Sequence, residues 1–223
     1  MIGGMVFRRR LFLWMFLSSA AALAGCGPKY ARLLTPAKFT KQSPAVFHAR
    51  FETTKGVFVI EVHRDWAPLG ADRFYNLVSS GFYDGQRFFR TLPKFVVQWG
   101  LSGNPAVSKA WQDETLRLQD EPVKQSNTRG FITFAKSGPN TRTTQIYVNM
   151  ADNSRLDATG FSPFGRVTEG MEVFEKLYAE YGDVTPRGKG PEQQKIRELG
   201  DAYLAKDFPL LDRIFKARVV GRQ

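Results

Sequence analysis

A chain of 223 residues, 43% hydrophobic and 24% charged with 20 Gly and 12 Pro, has the composition of a folded domain and excludes a low-complexity or collagen-like one. One Cys and two His exclude a disulfide framework, an iron–sulfur cluster and a zinc site built on either residue type. The formal charge of +11 raises nucleic acid as a partner, but Lys and Arg are spread along the chain, the densest block is Arg8–Arg10, and no nucleic-acid motif occurs.

The first residues, MIGGMVFRRRLFLWMFLSSAAALAGCGPK, run from three arginines through an apolar stretch, Leu11 to Leu17, to small residues ending at Cys26. That order describes a bacterial export signal. Leu23-Ala24-Gly25-Cys26 resembles the lipobox of bacterial lipoproteins, in which the thiol is acylated and the Cys becomes the mature N-terminus. Residues 1–25 are then the signal peptide, and the sole Cys has a purpose. A signal anchor is the poorer reading, because Leu11 to Ala24 falls short of the roughly 20 residues that span a bilayer; an ordinary secretory signal with an incidental Cys is the other alternative. Arg9-Arg10-Leu11-Phe12-Leu13 also resembles a twin-arginine signal, with Arg8 and Trp14 where that pattern prefers a hydroxyl residue and a Lys, so both export routes stay open. Without residues 1–25, which hold three arginines and no acid, the formal charge falls to +8. A basic exported domain tethered by lipid suits an anionic headgroup surface.

Residues 26–45 read as a tether, having two prolines after Pro28 and no sustained period. The domain then spans 46–223. Val46 to Thr53 and Gly56 to His63 read as a β-hairpin, the second strand alternating and rich in β-branched and aromatic residues. Pro68 opens a helix to Ser80, stopped by Gly81. RFFRTL and KFVVQWG read as two further strands, and the polar stretch from Leu101 to Thr128 as mainly loop. Strands resume with GFITFAK and TQIYVNM, and PFGRV precedes a helix from about Met171 to Tyr181. An extension from about Asp183 holds the Gly-rich DVTPRGKGP, a helix near Glu192 to Lys206 that packs outside the barrel, and a last strand in DRIFKARVV. About eight strands with two main helices and short links predict a mainly β fold, a closed eight-stranded antiparallel barrel capped by two helices, in which the C-terminal strand pairs with an early one.

Familiar chemistries fail on residue type and spacing. Gly182 to Gly188-Lys189 has one residue too many for a phosphate loop, and Gly190 stands where Ser or Thr is required. Cys26 is spent in the export segment, and His48 and His63 lie on strands without a small-residue loop, so no nucleophile and base can be paired. No HExxH, CxxC or carboxylate cluster offers metal ligands.

The segment YDGQRFFRTLPKFVVQWG, with Arg90 among Phe88, Phe89, Phe95, Val96 and Val97 and followed by Gln98, resembles the cyclophilin family of peptidyl-prolyl isomerases. The likeness continues at GFITFAKSGPNTRTTQIYVNM, NSRLD and FGRVTEGMEVFEKL, so it covers about Phe51 to Leu177 in the family's order. What the resemblance implies is an isomerase that needs no cofactor or metal. Arg90 matches the catalytic cation. Phe95, Val96, Tyr147 and Leu156 match the apolar slot for the proline ring, and Phe89 lies on an apolar wall. Gln98 and Gln145 match residues that hold the Arg and the substrate backbone. Ala135 and the backbone of Lys136 match the strand edge to which the peptide adds.

Departures from the pattern accompany the likeness: Phe89 replaces a usual His, Trp99 interrupts a Gly-Gly pair, Lys136 and Ser137 replace Asn and Ala, and Arg155 replaces a common Trp. Lys136 adds positive charge that would favour acidic residues in the peptide, and Arg155 argues against tight binding of the family's cyclic peptide inhibitor. The implied protein is a monomeric, lipid-anchored isomerase on the periplasmic side of the envelope, acting on Pro-containing exported polypeptides. Two alternatives are a chaperone or scaffold that holds Pro segments without turnover, and an envelope lipoprotein whose basic face binds anionic lipid or polymer.

Overall fold

The computed structural model describes Met1 and residues 28–221, so the export signal and Cys26 lie outside the described residues. The described chain forms β1 (Val46–Thr53), β2 (Gly56–His63), β3 (Arg90–Thr91), β4 (Val96–Trp99), β5 (Phe131–Phe134), β6 (Ile146–Asn149), β7 (Pro163–Glu169) and β8 (Ile214–Val220). Five α-helices accompany them among the described residues: α1 (Pro28–Ala31), α2 (Pro68–Ser80), α3 (Pro105–Ala110), α4 (Met171–Glu175) and α5 (Gln193–Asp207).

All eight strands belong to one antiparallel sheet in the order β3-β4-β6-β5-β7-β2-β1-β8. The C-terminal strand pairs with β1, as its alternation predicts, but the expected closed barrel does not form. The sheet is a curled half-barrel that stays open between β3 and β8. RFFRTL contributes only two residues to a strand, because this short stretch serves two neighbours: Arg87 makes an isolated bridge to Arg213, while Arg90 already pairs with Gln98. The seam carries backbone hydrogen bonds from Phe88 to Asp212 (3.0 Å) and from Ile214 to Gln86 (2.8 Å) in place of a continuous ladder.

Helices α2 and α4 pack on the sheet through aromatic rings. Phe74 of α2 packs on Phe164 at 5.1 Å, and Phe174 of α4 packs on Phe58 at 4.5 Å between ring centroids. Between them Phe51 and Phe58 stack at 4.7 Å. Trp99 completes this core. Its side chain is fully buried, edge-on to Phe51, Phe58 and Phe88. The departure from a Gly-Gly pair therefore has a reason: Trp99 occupies regular β4 opposite Ile146 and fills the core, whereas Gly100 has φ +112° and a Cβ there would lie 2.4 Å from the Thr144 carbonyl oxygen.

Three stretches differ from their sequence reading. The residues expected as a tether lie against the domain: Leu33 is buried, its carbonyl accepts from Trp111 Nε1 at 2.9 Å, and Phe39 stacks on the same indole at 5.7 Å. Within Leu101–Thr128 the short α3 forms because Asn104 Oδ1 caps the backbone N–H groups of Ala106 and Val107 and Pro105 sits at the first helical position. The helix expected from Met171 to Tyr181 ends at Glu175, and the Tyr178 N–H is taken by Asp212 Oδ2 at 2.7 Å. Within the extension, α5 joins a second cluster of Phe89, Leu101, Val184, Ile196, Leu204 and Leu211 apart from the main core, while Ile214 and Ala217 of β8 belong to the main core.

Trp99→Ala should lower the free energy of unfolding by about 3–5 kcal/mol, the range for deleting a buried large aromatic side chain. Urea unfolding followed by far-UV circular dichroism tests this, and a loss under about 1 kcal/mol would mean the indole is not central to the core.

Candidate functional site

Strand register assembles the site. Arg90 of β3 lies opposite Gln98 of β4, Gln98 opposite Tyr147 of β6, and Tyr147 opposite Thr133 of β5, one row across four strands on one face. Alternation does the rest: Val97, Trp99, Ile146 and Val148 enter the core, while Val96, Gln98, Gln145 and Tyr147 turn to the outer face.

That outer face holds a cleft of about 340 Å³. Its walls include Arg90, Phe95, Val96, Gln98, Ala135, Lys136, Gln145, Tyr147 and Leu156. Of the site residues expected from sequence, Phe89 alone does not line it; this ring is 2% exposed and anchors the second cluster beneath the extension. A peptide cannot reach it there. Sequence reasoning missed Phe161, Arg187, Gln193 and Arg197, three of which come from the extension. A signal for Phe161 exists in its position just after NSRLD; for the extension residues none does, because their proximity depends on how the extension folds back.

The Arg90 guanidinium is held in plane. Nε donates to Asp183 Oδ1 at 2.6 Å and Nη2 to Asp183 Oδ2 at 3.1 Å, a bidentate pair, while Nη1 donates to Gln98 Oε1 at 3.1 Å. Gln98 Nε2 in turn donates to Gln145 Oε1 at 2.8 Å. A guanidinium has five N–H bonds, so one on each terminal nitrogen is left over for a further acceptor. Its side chain is 14% exposed, and Cζ lies 5.5 Å from the Phe95 ring centroid. Arg155 flanks the same ring at 5.0 Å. Burial raises the Asp183 pKa, but the Arg90 hydrogen bonds and charge outweigh it and hold the carboxyl below its ordinary value.

The apolar side of the cleft rests on a buried polar network. Asn127 Oδ1 accepts from Thr133 Oγ1 (2.9 Å) and from the Tyr147 hydroxyl (3.2 Å). Asn127 Nδ2 donates to Asp157 Oδ1 at 2.7 Å, and Asn153 Nδ2 donates to the Phe95 carbonyl at 2.8 Å. NSRLD thus supplies two supports of the slot, Asn153 and Asp157, as well as its wall residue Leu156. Burial pushes the Tyr147 hydroxyl well above its ordinary pKa, so it stays protonated and donates. Lys136 does not present the free charge expected of it: Nζ donates to Asp120 Oδ2 at 2.9 Å, its side chain is 8% exposed, and it lies over the Phe161 ring at 5.3 Å.

The arrangement offers a fixed cationic donor beside an apolar slot, with amide groups between them. It can bind a planar or twisted amide and stabilise developing charge on it. Comparison with known proteins agrees with this chemistry. The family model described as cyclophilin type peptidyl-prolyl cis-trans isomerase/CLD matches residues 48–200. A peptidyl-prolyl cis-trans isomerase of Acinetobacter baylyi is 33% identical over 132 residues, 56% of this chain and 69% of that protein. Peptidyl-prolyl cis-trans isomerase A of Dickeya dadantii is 32% identical over 157 residues, 66% of this chain and 82% of that one. The crystal structure of a Cryptosporidium parvum cyclophilin type isomerase superposes with a TM-score of 0.58 at 18% identity, covering 80% of this chain and 99% of that chain, a likeness of fold.

Asp183 carries a pH dependence. A carboxyl whose folded pKa lies below its unfolded value near 3.9 adds stability at higher pH, and that contribution is lost as the pH falls through the folded value. Unfolding midpoints in urea should fall as the pH drops from about 4 towards 2, with a shallower slope for Asp183→Asn. An unchanged slope would remove the Asp183–Arg90 pair from the protein in solution.

Proposed function

This chain belongs to the cyclophilin-type peptidyl-prolyl cis-trans isomerases, and from that premise we propose that it isomerises X-Pro bonds of exported polypeptides from a lipid anchor in the bacterial envelope. The observation that carries the reading is the placement of the Arg90 guanidinium, pinned by Asp183 and Gln98 at the edge of an apolar slot walled by Phe95, Val96, Tyr147 and Leu156.

Rotation about an X-Pro bond breaks no σ bond; its barrier of roughly 18–20 kcal/mol is lost amide resonance. As the amide twists, the prolyl nitrogen becomes pyramidal and its lone pair becomes basic. An N–H of Arg90 aimed at that nitrogen bonds the twisted form more strongly than the planar one, which is the differential binding that lowers a barrier. The slot holds the pyrrolidine ring and excludes water that would solvate the planar amide. Gln145 and the backbone at Ala135–Lys136 hold the peptide on either side, as the likeness to the family implies.

The export reading rests on the first 26 residues of the sequence, with acylation at Cys26. Uncatalysed prolyl isomerisation takes tens of seconds or more, so chains that fold in a compartment without ATP gain from such a catalyst. Because Leu33 is docked on the domain, only six residues lie between it and Cys26, and the seven Cα–Cα steps reach at most about 25 Å when fully extended. The domain would work close to the membrane surface.

Two experiments test these proposals. Arg90→Ala should lower kcat/KM on a short X-Pro peptide by about 10²–10³-fold, the usual effect of removing one fixed transition-state donor, with a smaller change in KM. Equal rates would remove the Arg90 mechanism and favour a groove that binds without using this cation. For the anchor, Cys26→Ser should abolish incorporation of labelled palmitate and move the protein from the membrane fraction to the soluble one; retention of both in the variant defeats the lipoprotein reading.

A further inference from the structure

The cleft opens into a neighbouring hollow of about 250 Å³, and Ser137, Thr141, Thr143, Gln145 and Arg197 line both. Arg90, Lys136, Arg187, Arg197 and Arg117 line one or other of the two, and no Asp or Glu lines either. Four of these cations have carboxylate partners: Arg90 and Arg187 share Asp183, Lys136 holds Asp120, and Arg117 holds Glu114. Arg197 has no carboxylate partner among the described residues. Its single hydrogen bond is from Nη2 to Gln193 Oε1 at 3.4 Å, on its own helix. It is half-buried, and burial by itself pushes its pKa down with no anion to offset the cost. A guanidinium desolvated without a partner, with most of its five donors unused, fits a carboxylate bidentately.

We propose that Arg197 is a specificity-determining residue that binds the carboxylate of an acidic residue close to the isomerised proline, so that the preferred substrates are acidic Pro-containing segments. This rests on the isomerase reading and adds its substrate class. With the proline ring in the slot of Phe95, Val96, Tyr147 and Leu156, a neighbouring peptide residue passing Gln145 enters the second hollow and brings its side chain to Arg197. The selectivity expected of Lys136 from sequence falls on Arg197 because Asp120 neutralises the lysine.

The test is a set of chromogenic peptides with Glu, Gln or Lys placed in turn at each of the three positions before proline and the one after, assayed with wild type, Arg197→Gln and Arg197→Glu. In wild type, Glu at one of these positions should raise kcat/KM roughly tenfold over Gln, the scale of one charge-assisted hydrogen bond. Arg197→Gln should bring that ratio close to one, and Arg197→Glu should favour Lys. Each ratio is taken within one protein preparation, so partial unfolding of a variant does not alter it. Turnover with the same Glu:Gln ratio in wild type and Arg197→Gln overturns the inference and leaves the isomerase reading standing. Absence of turnover on every peptide by the wild type overturns the isomerase reading and the inference with it.

Discussion

The site depends on the register of β4. Its four residues face two ways, Val97 and Trp99 into the aromatic core and Val96 and Gln98 into the cleft, and its partners on both sides continue the same rows. A slip of one residue would put an indole in the cleft and a glutamine amide among Phe51, Phe58 and Phe88. The cost of that exchange, a large apolar surface exposed and a polar group buried without partners, locks the row of Arg90, Gln98 and Tyr147 in place. Core packing and site geometry are therefore one constraint: the residues that hold the sheet in register also hold Arg90 opposite Gln98.

The extension from Asp183 is built into this arrangement. Phe89, adjacent to Arg90 in sequence, packs with Val184, Ile196 and Leu204, so the strand carrying the cation is itself fixed by the extension. Gly200 lets α5 bend over the site. It has φ +63°, and a Cβ there would lie 2.2 Å from the Gly103 carbonyl oxygen, which accepts instead from the Asp201 N–H at 2.8 Å. On one side of this bend α5 gives Gln193 and Arg197 to the cleft, and on the other Leu204 goes to the second cluster.

Much of this was legible beforehand, for identifiable reasons. The hairpin of β1 and β2 has period-two alternation around a two-residue turn, and α2 has Pro68 and Gly81 at its ends, so local chemistry sets their bounds. The cleft residues from Arg90 to Leu156 were legible through motifs, since each sits within a few residues of a recognisable neighbour. Closure of the sheet was not: whether Arg87–Leu92 pairs with β4 or with β8 depends on competition between two ladders, which no local pattern encodes. Phe89 shows the same limit from the other direction. In the motif it reads as a cleft wall, but an apolar ring follows whichever apolar surface covers it, and here that surface comes from residues about a hundred positions later.

On the proposed mechanism, an arginine neutralised by Asp183 has to act as an electrostatic catalyst. Catalysis depends on the difference in interaction between the twisted and planar amide, and net charge in the cleft contributes to both states alike. What discriminates them is a directed N–H dipole at the nitrogen that gains a lone pair, and direction is what a bidentate carboxylate supplies to a long, flexible side chain. Asp183 on one edge and Gln98 on another leave the guanidinium little freedom to swing, while one donor on each terminal nitrogen remains uncommitted. The pair exchanges some attraction for passing anions for a donor already oriented when the amide twists. The same reasoning separates two of the cleft arginines: Arg90, with its carboxylate, suits the proposed recognition of a change in geometry, and Arg197, without one among the described residues, suits the recognition of a charge.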